Sequence, residues 1–154
     1  MAPGSSYRLA PYAALHLGER GVGLEETADV VHADTLFSAL GTTLREGWGS
    51  AALDNLLAAC VAGEPPFRLS SAFPYAGPVR FFPRPALQLP LAGELPSDAA
   101  KRLKTTRFVS ADIFAAWLDG RPLDAELDRG NFLRASGTWV SAAERAQLDT
   151  AFGM

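Results

Sequence analysis

Eight of the eleven prolines fall between residues 65 and 96, and this segment constrains the fold more than any other. Proline lacks a backbone N–H and clashes inside a helix, so the stretch cannot be helical and suits short strands joined by rigid loops. It separates two regions that carry helical patterns. Within it Phe67, Leu69, Phe73, Tyr75, Phe81 and Phe82 interleave with Arg68, Arg80 and Arg84. Rings beside guanidinium groups suit a single-stranded nucleic acid, whose bases stack and whose phosphates pair with arginine. For most of the individual rings the simpler reading is a place in the core of twisted strands.

Before the prolines, Tyr7, Leu9, Pro11, Ala13, Leu15 and Leu17 alternate with a set that includes Arg8, Tyr12 and His16, a period of two that predicts a strand over 7–17. Pro11 points to an edge or bulge position. Gly18 to Gly23 reads as a flexible loop whose glycine spacing fits neither a dinucleotide fingerprint nor a phosphate loop. Asp34 is placed to cap a helix carrying Leu36, Phe37, Leu40 and Leu44 and closing at Gly47. A second helix is predicted over 51–62, where Leu53, Leu56, Leu57, Cys60 and Val61 share one stripe.

After the prolines, the basic segment Lys101 to Arg107 leads into a strand at Phe108-Val109. A helix follows with Ile113, Phe114, Trp117 and Leu118 on its packed side and Gly120 at its end. Residues 121–137 read as a polar loop, 138–140 as a short strand, and Ser141 as the cap of a last helical turn over 143–148. This order predicts a single α+β domain over 1–154, with an antiparallel sheet, helices on one face and a ferredoxin-like arrangement resembling RNA-recognition folds. The open sheet face would then present Arg8, Tyr12 and His16.

With 48% hydrophobic and 20% charged residues, the 154-residue chain has the composition of a globular domain rather than a disordered tail. Its longest apolar stretch, near Leu53 to Val61, is broken by Asp54 and Asn55 and is far shorter than a membrane span. Cys60 is the one cysteine, so no internal disulfide or thiolate cluster forms, and the absence of a basic-apolar leader pattern at Met1 to Ser6 fits a cytoplasmic location. The net charge of −3 argues against a generic polyanion binder. Its distribution does not: residues 68–107 hold seven basic and two acidic side chains, whereas both flanks are net acidic. Arg68, Arg80, Arg84, Lys101, Arg102, Lys104 and Arg107 could neutralise phosphates, the alternative being a solvated face.

Three motifs, taken in order, resemble those of the handle-capping RAMP subunit of type III-A CRISPR effectors, the fourth subunit of the Csm complex. The first strand ends His16-Leu17-Gly18 and is followed by His32-Ala33-Asp34-Thr35-Leu36-Phe37-Ser38-Ala39-Leu40, similar to a His-Ser-Asp-Thr-Leu-Phe-Ser-Ala helix start. Leu69-Ser70-Ser71-Ala72-Phe73-Pro74-Tyr75 is similar to a Leu-Ser-Ser-x-Phe-Pro-aromatic segment, with Pro83 and Pro85 beyond it. Lys101 to Ser110 resembles a lysine-rich approach to a Phe-Val/Ile-Ser strand. Two departures stand out. Ala33 replaces a serine, and members of that family are about twice as long, with a second ferredoxin-like domain and a glycine-rich loop, so the resemblance implies that these residues correspond to the family's N-terminal half, as a fragment or a split subunit.

The resemblance implies a non-catalytic scaffold without cofactors that holds the repeat-derived 5′ handle of a CRISPR RNA (crRNA). It also implies contacts with the large polymerase-like subunit and with a backbone RAMP subunit. Its RNA-binding residues would be Arg8, His16, His32, Ser70, Ser71, Phe73, Arg80, Arg84, Lys101, Lys104 and Arg107. Ser70 and Ser71 could read base edges or simply bond strand ends. His16, His32, Asp34 and Ser38 also admit a metal-independent endoribonuclease acting on CRISPR repeats through a histidine, which requires a base in reach of its proton. Two histidines are too few for a zinc site without a third ligand. The third alternative is a plain protein-interaction domain with an incidental basic island.

Overall fold

The computed structural model describes residues 4–12, 18–19, 26–27, 30–133 and 136–153. The chain divides into two compact units at Ser71.

In the first unit, β1 (Gly18–Glu19) pairs antiparallel with β2 (Glu26–Thr27), and α1 (Ala33–Trp48) is followed after one residue by α2 (Ser50–Val61). Gly49 makes that sharp junction with φ 86° and ψ 171°, a conformation that side chains with a Cβ rarely adopt. Gly41 is the buried residue of α1, and a Cβ there would sit 3.4 Å from Leu53 Cδ1, so the bare backbone lets the two helices approach closely. Gly49→Ala is therefore expected to destabilise the unit by about 1–2 kcal/mol, read as a lowered urea midpoint.

The helix boundaries follow the apolar spacing, but two expectations at this end change. Residues 4–12 carry no strand, and Tyr7 and Leu9 are 83% and 53% exposed; His16 lies outside the described residues. Alternation supplies a face, but a strand also needs a hydrogen-bonded neighbour, which the described residues do not give this segment. Asp34 is not the cap. His32 occupies that position, and Asp34 lies in the first turn, where its Oδ1 accepts from Thr35 N at 2.7 Å. A carboxylate there still opposes the positive end of the helix dipole.

The second unit is built on a five-stranded sheet in the order β3 (Tyr75–Ala76), β4 (Val79–Pro83), β5 (Phe108–Ser110), β7 (Thr138–Trp139), β6 (Phe132–Leu133). The fold class is α+β, but the expected all-antiparallel sheet is corrected: β5 and β7 run parallel, with Val109 opposite Trp139. The two strands are joined by a crossover containing α4 (Ala111–Leu118) and α5 (Asp124–Arg129), which is what a parallel pair requires. Ahead of β5 stands α3 (Ser97–Thr105), and the chain closes with α6 (Ala142–Phe152).

Register explains the core. Opposed residues share a sheet face, so Phe82, Val109, Trp139 and Phe132 line one side. There Phe82 stacks on Phe114 at 4.7 Å, Trp139 stacks on Phe132 at 5.2 Å, and Trp117 meets Trp139 edge-on at 6.3 Å. Ala99 and Leu103 of α3, Ile113 and Ala116 of α4 and Leu127 of α5 complete this cluster. Val79 and Phe81 alternate to the other side, α6 packs against β4, and its Leu148 is buried.

The proline-rich loop is sewn down rather than free. Trp117 Nε1 donates to Gln88 O at 3.0 Å and Leu123 N to Pro90 O at 3.0 Å. Asp124 accepts from Ala92 N at 2.8 Å and Gly93 N at 3.1 Å. The Ala92 and Gly93 amides favour the charged carboxylate and hold Asp124 below the usual carboxylate range, with partial desolvation opposing them. Because the folded state depresses this group, its stabilisation is present above about pH 4 and is lost as the pH falls through the lower, folded value. Asp124→Asn should accordingly lower the melting temperature at pH 7 and converge on the parent protein in acid, as followed by circular dichroism.

Ser141 caps α6 as expected, its Oγ accepting from Glu144 N at 3.1 Å. The Glu144 carboxylate, 5% exposed, accepts in turn from Ser141 Oγ at 2.9 Å and from Asp112 N at 3.2 Å. It thereby ties the start of α6 to the start of α4, satisfying amide donors that no helix can satisfy internally.

Candidate nucleic-acid interface

In the second unit the cations gather where β4 ends and β5 begins. Arg84 N donates to Arg107 O at 2.9 Å, which extends the β4–β5 ladder by one pair and sets the two arginines directly opposite each other. Arg84 Nη1 donates to Leu103 O at 2.8 Å, so its guanidinium is anchored at the C-terminal end of α3 beside Lys104. That end carries the negative pole of the helix dipole, which favours cations. Lys101 and Lys104, both exposed, are three residues apart on α3 and share one face of it.

A glycine turn closes the corner. Gly137 O accepts from Arg107 N at 2.7 Å and Phe108 N at 3.2 Å, and Gly137 itself has φ +60°. The Arg107 guanidinium carbon lies 5.7 Å from the Phe108 ring centroid. Sequence reading named Arg84, Lys104 and Arg107 separately but had no signal for this turn, because its partner strand lay in a segment read as loop.

Arg102 belongs to the same basic run and does other work. It pairs with Asp98 one turn earlier and lies 5.3 Å over the Phe132 ring, at the end of the stack formed by Phe132, Trp139 and Trp117. The Arg102 hydrogen bond also holds the Asp98 carboxyl below its usual range. Arg102→Ala should cost about 1 kcal/mol in urea titration through lost ring contact and stem packing.

The remaining residues named from the sequence are placed as follows. Arg80 is exposed on β4 opposite Tyr75. Phe73 is half-buried with its ring 5.9 Å from Phe82, in the same aromatic cluster as Phe114. In the first unit, Ser71 Oγ accepts from Ala33 N at 3.3 Å, and Ser70 Oγ donates to Ser71 O at 2.9 Å. This brings Ser70 and Ser71 to the start of α1 beside the exposed His32, although they are nearly forty residues away in sequence. Ser71 keeps its hydroxyl proton for a further acceptor. Arg8 is exposed at a residue outside regular structure, and His16 lies outside the described residues.

Catalytic geometry can be assessed for three of the four residues named. His32, Asp34 and Ser38 lie along the first turns of α1; Asp34 accepts from Thr35 N, and Ser38 O accepts from Thr42 Oγ1 at 3.0 Å. Among the described residues no hydrogen bond joins His32 to Asp34 or Ser38. No group of three or more His, Cys, Asp or Glu side chains is placed to hold a metal ion among them either.

These features define an α+β protein whose second unit presents a basic corner and whose first unit holds a serine pair at a helix start. No family model matches the chain, and no solved structure matches it. Over 102 residues it is 36% identical to the CRISPR system Cms protein Csm4 of Thermococcus onnurineus strain NA1, a match covering 61% of this chain and 34% of that protein. The resemblance read from the three motifs is thus borne out, and the matched part spans about a third of the relative's length. No helix among the described residues is long and apolar enough to cross a membrane.

Proposed function

We propose that this chain is a non-catalytic RNA-binding subunit of a type III-A CRISPR-Cas (Csm) interference complex in the cytoplasm. In this reading it holds the 5′ handle of the crRNA and contacts the large polymerase-like subunit and a backbone RAMP subunit in antiviral defence. The observation that carries the reading is the 36% identity to a Csm4 protein. The convergence of Arg84, Lys104 and Arg107 supports it, since backbone phosphates supply most of the affinity in RNA complexes. Ser70, Ser71 and His32, gathered at the start of α1, are the groups assigned to reading bases, with Arg8, His16, Phe73, Arg80 and Lys101 as further contacts. The chain is then the ferredoxin-like RAMP part of the subunit, folded as one domain in the assembled complex.

The test is to tag the chain in its native cell, purify it gently and sequence the RNA that comes with it. Short RNAs sharing one repeat-derived 5′ end are expected. Recovery of partner proteins without RNA would replace this reading with that of an interaction domain.

A further inference from the structure

At the outer margin of the five-stranded sheet, register carries an aromatic row out of the core and into solvent. β3 is the edge strand and pairs with β4 so that Tyr75 stands opposite Arg80. Continued by two residues, the same register sets Phe73 opposite Phe82, and their rings lie 5.9 Å apart. Side chains that are opposed, or two residues apart on one strand, share a face, so these four residues stand on one side of the hairpin. On that side Phe114 of α4 stacks on Phe82 at 4.7 Å, and the row Phe114, Phe82, Phe73 leads away from the helix. There the cover ends: Phe73, Phe82 and Phe114 are half-buried, whereas Tyr75 is 39% exposed and Arg80 is exposed. The other side of the hairpin is occupied. Val79 and Phe81 are buried there, and a Cβ on Gly77 would lie 3.3 Å from Ala151 Cβ of α6.

We infer that Tyr75 is a base-stacking residue, its ring and the neighbouring Arg80 forming a platform on which one unpaired base of a single RNA strand lies. This rests on the RNA-binding reading above and deepens it by adding a contact made to a base rather than to a phosphate. A stacked base would continue the row of Phe114, Phe82 and Phe73 by one more ring. Tyrosine suits such a margin, because its ring supplies apolar area while its hydroxyl stays in water. Guanidinium planes also stack on bases, so Arg80 extends the platform across the strand pair. Every base has a π-face, so a platform of this kind accepts any base, and a neutral ring releases no counterions on binding.

The probe is a fluorescently labelled oligouridylate of about twelve nucleotides, titrated with the full chain by anisotropy across a salt series. Tyr75→Leu is expected to bind about tenfold more weakly, within the range that single base–ring stacks contribute. Its log-affinity slope against log salt should equal the parent's, because no charge is removed. Tyr75→Phe keeps the ring and should bind within about twofold of the parent. Trp48→Leu, which removes a 73% exposed ring from α1, is the control and should retain parent affinity. An oligomer with 5-iodouridine at one position, irradiated with the parent chain, should place an adduct on Tyr75, a readout that does not depend on how any variant folds. Parent-like affinity in the folded Tyr75→Leu variant, or adducts confined to other residues, would overturn the inference while leaving the RNA reading intact. Equal losses in Tyr75→Leu and Tyr75→Phe would also overturn it, by assigning the effect to the hydroxyl. Parent-like oligonucleotide affinity, combined with loss of another subunit from the complex purified with Tyr75→Leu, would make the ring a protein contact instead. Failure of the parent chain to bind the oligonucleotide at all would overturn the RNA reading and this site with it.

Discussion

Replacing Trp139 with alanine is expected to lower the unfolding free energy by about 3–5 kcal/mol, a large fraction of what a domain of this size possesses. Trp139 is fully buried at the point where the parallel β5–β7 pair meets the helices. One face of its indole is stacked on Phe132, and Trp117 meets it edge-on. Truncation removes a large apolar surface and leaves a cavity that helices fixed on several sides cannot collapse into. Urea unfolding should show a lower midpoint with the slope unchanged. Trp139→Phe is expected to cost much less than the alanine change. The indole Nε1 is buried without an acceptor among the described residues, so losing that donor offsets part of the lost area.

The second large effect is expected at Gly137. A Cβ there would lie 2.9 Å from Thr105 O, a backbone atom that cannot swing aside, and φ +60° is strained for alanine in any case. Gly137→Ala should cost about 2–3 kcal/mol. The consequence extends to the basic corner, because Gly137 O is the acceptor for the Arg107 amide. Displacing the turn should move Arg107 away from Arg84 and, in the role proposed above, weaken retention of a guide RNA, even at temperatures where the variant remains folded. A variant that is destabilised but binds RNA as tightly as the parent would separate the turn from the corner.

Strong local signals carried much of the fold. The apolar stripes of α1, α2 and α4, the strand at Phe108-Val109 and the Ser141 cap follow from spacing and side-chain chemistry within a few residues. The features that sequence missed depend on distant partners. Lys101 to Arg107 reads as a charged linker because α3 buries only Ala99 and Leu103, too few apolar positions to announce a helix. Residues 121–137 read as loop because α5 is six residues long and β6 two, each stabilised by packing and pairing rather than by its own pattern. Over 7–12 the alternation misled for the converse reason: the pattern is local, but strand formation is not, while 13–17 lie outside the described residues.

The same division applies to the candidate site. The cations and the Ser-Ser pair were visible as residues, yet their grouping was not. That Arg84 faces Arg107 depends on the β4–β5 register, and that Ser71 meets the first amide of α1 depends on a contact across thirty-eight positions. Arg102, which composition counts with the other basic residues, is used by the core and by Asp98.

The central claim is that this chain holds the crRNA handle, and ultraviolet crosslinking of the purified native complex tests it most directly. Crosslinked peptides would be mapped to individual handle nucleotides by mass spectrometry. The account predicts adducts from the 5′ handle on this chain, centred on the segments around Ser70-Ser71 and Arg84 to Arg107. Handle adducts found only on other subunits, in a complex that contains this chain, would contradict it.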